Sequence, residues 1–100
     1  MAEFIIVSRH KAAVQFIRDH DPRFEHSRVI ENATEDDIYG NIVAGNLPMK
    51  LARLCKYVVA VEFRNNPPRG QEYTTADMEA AGGYLQAYTV RKAGDEYYTE

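Results

Sequence analysis

Apolar residues fall in short blocks along the chain, and the spacing inside each block predicts an element. "EFIIVS" (3–8) is a brief, β-branched run, which predicts a buried strand. In "KAAVQFIRDH" (11–20) the apolar residues Ala13, Val14, Phe16 and Ile17 share one helical face, and Pro22 closes the segment. "FEHSRVIE" (24–31) predicts a weaker strand. The acidic, turn-rich "NATEDDIYG" (32–40) predicts one helical turn at most. "NIVAG" (41–45) is a short buried strand. "LPMKLARLCK" (47–56) predicts a helix with Pro48 near its first position and Leu47, Leu51, Leu54 and Cys55 facing the core. "YVVAVEF" (57–63) is the clearest strand. "RNNPPRGQEY" (64–73) carries two prolines and a glycine, which predict an irregular link. "TTADMEAAGGYLQAY" (74–88) opens with Thr74 and Asp77 at capping-box spacing, and Met78, Ala81, Leu85 and Tyr88 keep a helical period. Gly82 and Gly83 weaken that helix and leave a strand from Tyr84 open. The last stretch, "TVRKAGDEYYTE", reads as an edge hairpin turning at "AGD" or as a frayed tail.

The alternation β-α-β-turn-β-α-β-α predicts a small Rossmann-like α/β domain, with a mostly parallel sheet and flanking helices. One such domain is expected over 1–92, with 93–100 as a C-terminal tail or edge hairpin. In sheets of this kind ligands bind beyond the carboxyl ends of the strands. Three segments should meet there: "SRH" after the first strand, "GNLP" after "NIVA", and "RNNPPRG" after "YVVAVEF".

Composition narrows the ligand. One hundred residues allow one core. The net charge of −3 argues against long DNA or RNA as a partner, since that needs a broad basic surface. A small anion needs only local positive charge. Cys55 is the single cysteine, so no intrachain disulfide is possible, which fits a reducing cytoplasm. Its place on an apolar stripe reads as a packed thiol rather than a nucleophile. No apolar run approaches a membrane span, and "MAEFIIVSRH" lacks the length and cleavage site of a signal peptide.

The three segments suit a phosphate. A helix N-terminus offers free N–H groups, Ser8 a hydroxyl, and Arg9 a fork of donors that stays charged. Gly45 lets backbone approach a ligand. Asn46 donates and accepts, and Lys50 follows one turn into its helix. No GxGxxG or Walker pattern is present. Each residue also has a plainer reading: Ser8 as a helix cap, Arg9 as a solvated charge, His10 as a structural hydrogen-bonder. Asp36 and Asp37 read as a solvated acidic turn, and the seven tyrosines as packing and edge residues. His20 and His26 have no ligand spacing with His10, so neither a metal nor another cofactor is expected.

Three ordered fragments carry a resemblance: "FIIVSRHKAAVQFI", "GNLPMKLARLCKY" and "RGQEYTTADMEAAGGYLQAYTV". Together they resemble the small accessory proteins of type III CRISPR systems, the Csx-sixteen family. Tyr73 departs from that pattern, where a smaller aliphatic is expected, and the stretch 21–41 matches only in general character. The resemblance implies a ring nuclease, similar to the CRISPR-associated Rossmann fold sensors. Such a protein binds and cuts cyclic oligoadenylate, here expected to be cyclic tetra-adenylate, as a cytoplasmic homodimer. The implied chemistry is metal-independent: the ribose 2′-OH attacks its own phosphodiester and leaves a 2′,3′-cyclic phosphate. Arg9 would stabilise phosphoryl charge. His10 is the only candidate in the matched motif for moving a proton, since an imidazole changes charge near neutral pH. Ser8, Gly45, Asn46, Lys50, Arg64 and Arg69 would bind the ligand. A non-catalytic binder of the same messenger, acting as sponge or sensor, is the alternative, and an unrelated nucleotide-binding domain is the third reading.

Overall fold

The computed structural model describes residues 2–66 and 73–99. Five strands form one sheet: β1 (Phe4–Val7), β2 (Val29–Ile30), β3 (Ile42–Gly45), β4 (Tyr57–Phe63) and β5 (Gly83–Tyr88). Their spatial order is β2-β1-β3-β4-β5. β1 pairs in parallel with both β2 and β3, and β3 with β4, while β5 runs antiparallel to β4. This is a small Rossmann-like α/β domain with a mostly parallel sheet. The helices are α1 (Lys11–His20), α2 (Glu35–Ile38), α3 (Met49–Ala52), α4 (Thr75–Ala80) and α5 (Asp95–Tyr98).

The strand alternation separates two cores. Ile6, Ala44 and Val59 point to one face, where Ile17 of α1 and Phe24 cover them. Ile5, Val7 and Val43 point to the other, where Ile38 of α2 and the Leu47, Leu51, Leu54 and Cys55 stripe pack. Side chains such as Phe16, Ile17 and Ile38 are fully buried, and each contributes about 1.5–3 kcal/mol by leaving water. His20 stacks on Phe16 with ring centroids 4.0 Å apart, and its Nε2 lies 2.5 Å from the Glu79 carboxylate, tying α1 to α4.

α1 and β4 have the bounds expected from the pattern, and four segments differ. The strand expected over 24–31 is reduced to Val29–Ile30, and Pro22–Phe24 forms a 3-10 turn that seats Phe24 in the first core. The stretch 47–56 is helical for only one turn, α3, and then passes into turns. Its apolar stripe still packs on the second core, because a chain of turns can present those residues as a helix would. In 74–88 the helix stops at Ala80, and the strand left open from Tyr84 is the reading the structure has. Gly82 takes φ +73°, a left-handed turn that glycine adopts freely, and β5 follows it. The tail forms the helical turn α5 in place of a hairpin. Gly94 precedes it, and Asp95 and Glu96 sit in its first turn, where they favour the helix dipole.

Candidate functional site at the carboxyl edge

The chain leaves β1 towards β2 on one side, then crosses back to β3 on the other. Winding reverses between β1 and β3, and at such a point the loops splay apart to leave a crevice. A cleft of about 1190 Å³ opens there. It runs along the carboxyl ends of all four parallel strands, from the residues after β2 to Phe63 of β4 and the start of α4.

Ser8, Arg9, His10, Gly45 and Asn46 all line this cleft. Ser8 does not cap α1: its Oγ accepts the His10 N–H at 3.1 Å, a turn one step before the helix. His10 holds the cap position, and no side chain there accepts a hydrogen bond from the helix. The first-turn residues Lys11, Ala12 and Ala13 line the cleft, their N–H groups have no side-chain cap, and that turn has no acidic residue. α2 and α4 differ, because capping boxes close both: Thr34 with Asp37, and Thr74 with Asp77. Arg9 is exposed, and its Nη2 donates to Asn32 Oδ1 at 2.8 Å.

Gly45 has a specific steric duty. It takes φ +131° and pairs with Val7, and a Cβ there would overlap the Val7 carbonyl oxygen. The β1 and β3 backbones thus meet more closely than any side chain allows, at the crossover itself.

Lys50 is exposed on α3 and is not among the cleft-lining residues. Arg64 is not among them either. Its guanidinium lies over the Tyr84 ring, 4.7 Å from the centroid, where cation–π attraction holds it on the sheet face. Arg69 lies outside the described residues. Burial pushes the Cys55 thiol above its ordinary pKa, and its Sγ contacts the Leu51 carbonyl at 3.9 Å. That is a packed thiol.

Sequence reasoning passed over Lys11, Glu31, Asn32, Phe63 and Tyr73, all of which line the cleft. Glu31 and Asn32 follow β2, so the carboxyl-edge rule applied to the weaker strand would have reached them. Phe63 and Tyr73 meet edge-on, with centroids 6.3 Å apart, and give the β4 end an aromatic wall. Among the described residues no three His, Cys, Asp or Glu side chains gather as a metal site needs. No helix among them is long and apolar enough to cross a membrane.

Residues 5–91 match the family model described as "Putative CRISPR-associated protein (Cas_VVA1548)". The chain belongs to that family, and the match takes in every cleft residue named above. No curated protein and no solved structure matches the chain.

Proposed function

We propose that this CRISPR-associated protein binds cyclic oligoadenylate in the carboxyl-edge cleft and cleaves it, with cyclic tetra-adenylate as the favoured ring. The observation that carries the reading is a set of phosphate donors gathered at the β1–β3 crossover. The Arg9 guanidinium touches a neutral amide, and no side chain caps the first turn of α1. The cleft volume exceeds the range of about 300–1000 Å³ usual for small-molecule pockets, which suits a larger ligand. The resemblance of "SRH" and "GNLP" to type III accessory proteins supplies the ligand class.

The reaction needs no metal. The ribose 2′-oxygen attacks the adjacent phosphorus and gives up its proton. The bond from phosphorus to O5′ breaks, and O5′ takes a proton. The products are a 2′,3′-cyclic phosphate and a 5′-hydroxyl. The protein holds the three reacting atoms in line. Arg9 and the α1 amides stabilise the added charge on the phosphoryl oxygens, and His10 moves the proton. A ring with rotational symmetry is matched by two copies of the chain, so the working form is a cytoplasmic homodimer.

The test is a turnover assay with purified protein, EDTA and a molar excess of cyclic tetra-adenylate. Linear product in excess of protein, ending in 2′,3′-cyclic phosphate, is expected. Tight binding without product would make the protein a stoichiometric sponge or sensor. Absence of binding would remove the ligand.

A further inference from the structure

We propose that Asn32 is a positioning residue that aims the Arg9 guanidinium into the cleft while leaving its charge unneutralised. The proposal rests on the phosphate reading of the cleft and adds how that charge is kept available. Arg9 follows β1 and Asn32 follows β2, and the two side chains meet at 2.8 Å across the strand ends. Arginine only donates, so the acceptor is the amide oxygen of Asn32.

The choice of acceptor is the informative feature. Glu31 lies one residue earlier and lines the same cleft. No hydrogen bond or ion pair links its carboxylate to Arg9 or to any other described residue. Two other arginines take carboxylates, Arg23 with Asp21 and Arg28 with Glu3, each at 2.8 Å, while Arg18 donates to the Ser27 backbone carbonyl at 2.9 Å and Arg64 lies on the Tyr84 ring, both away from the cleft. An arginine held by a carboxylate has its charge cancelled, and an approaching anion gains little from it. An arginine held by an amide loses rotational freedom but no charge. One edge of the planar fork is then fixed, and the remaining N–H groups are presented to a phosphate without further ordering. Lys11 and the uncapped first turn of α1 line the same cleft and add to the positive field of Arg9, against a single carboxylate among the described residues, that of Glu31.

Two measurements test this on the full chain. The first uses no ligand: nitrogen-15 NMR of the Arg9 guanidinium in wild type and in Asn32→Ala. Slow rotation, with resolved Nη hydrogens, is expected in wild type and is lost in the variant. The second is a titration with cyclic tetra-adenylate. Asn32→Ala should weaken affinity about tenfold, the loss of one orienting hydrogen bond. Asn32→Asp keeps the shape but introduces a carboxylate beside Arg9, and should weaken it on the order of a hundredfold. Added salt should shrink the Asn32→Asp deficit more than the Asn32→Ala deficit, because only the first is a charge effect. Wild-type affinity in both variants, while Arg9→Ala binds poorly, would overturn the proposal. So would identical Arg9 signals in wild type and Asn32→Ala. If wild type fails to bind the ring, the ligand reading falls, and the NMR result alone decides whether Asn32 holds Arg9.

Discussion

The β1–β2 pair carries arginines at both ends, and the two ends use them oppositely. At the amino end Arg28, just before β2, reaches Glu3, just before β1, at 2.8 Å, and lies 3.7 Å from Asp37. Nearby, Arg23 binds Asp21 through Nε at 3.0 Å and Nη2 at 2.8 Å, with its guanidinium over the Phe4 ring. Every cation named there has an anion. At the carboxyl end, among the described residues, Arg9 meets the neutral amide of Asn32 and no carboxylate, and the helix that follows lacks a capping side chain. The first arrangement joins elements and cancels charge. The second holds charge in place without cancelling it, which helps only if something else supplies the anion.

The largest expected effect lies at His10 and concerns rate. If the carboxyl end is chemical and not merely receptive, His10→Ala should slow single-turnover cleavage of cyclic tetra-adenylate by roughly 10²–10⁴, with binding changed far less. His10→Gln should be similarly slow, since an amide cannot exchange a proton as imidazole does. Near wild-type rates in both variants across pH would leave the two ends differing in binding alone.

Next comes Gly45→Ala, which attacks the architecture under the cleft. The added Cβ meets the Val7 carbonyl oxygen at a positive φ, so strand separation or backbone strain is unavoidable. A loss of about 3 kcal/mol or more is expected in urea unfolding, or failure to fold at all. Gly40 also has a positive φ, but a Cβ there would meet nothing within 4 Å. Gly40→Ala should therefore cost less. Equal losses at the two sites would mean that the β1–β3 approach is not the constraint.

The arginines at the two ends should respond oppositely to substitution. Arg9→Ala should weaken binding of the ring by about tenfold to a hundredfold and leave the melting temperature nearly unchanged. Arg9→Lys should recover part of the loss, because charge returns but the fork does not. Arg28→Ala should do the reverse: a small drop in melting temperature, as for other exposed pairs, and unaltered binding. A binding loss in Arg28→Ala as large as that in Arg9→Ala would make the ligand's field general rather than local.

Much of this asymmetry was legible in the residues. "KAAVQFIRDH" and "YVVAVEF" have clean periods, and the structure gives them those bounds. Placing "SRH" and "GNLP" at one edge needed only the parallel order. Asn32 was only faintly legible: the carboxyl-edge rule reaches it through the weaker strand, but β2 has just two residues in its ladder and the sequence after it reads as an acidic turn. A strand so short has little hydrophobic pattern, and its position comes from pairing with β1. Lys50 and Arg64 show the complementary limit. Spacing brings a residue near an edge, but its side-chain direction depends on neighbours such as Tyr84 that are distant in sequence.

The smallest expected effect is in acid, and it separates the two ends without any ligand. Hydrogen bonds from the Thr34 N–H and then the Thr34 hydroxyl hold the Asp37 carboxyl below its ordinary pKa, with Arg28 adding a little. Asp21 is lowered chiefly by its side-chain hydrogen bond with Arg23. A carboxyl whose folded pKa lies below its unfolded value, about 3.9, stabilises the fold fully above that pH. The contribution is lost as pH falls through the lower, folded value. Melting temperature should therefore decline below about pH 4, and part of that decline belongs to these two groups. Asp37→Asn and Asp21→Asn should each flatten the acid limb. Arg9→Ala and Asn32→Ala should leave its slope alone, because the Arg9–Asn32 contact contains no group that titrates there. An acid limb unchanged in both aspartate variants, or flattened by Asn32→Ala, would mean that the ionic contacts of the amino end do not carry the stability assigned to them.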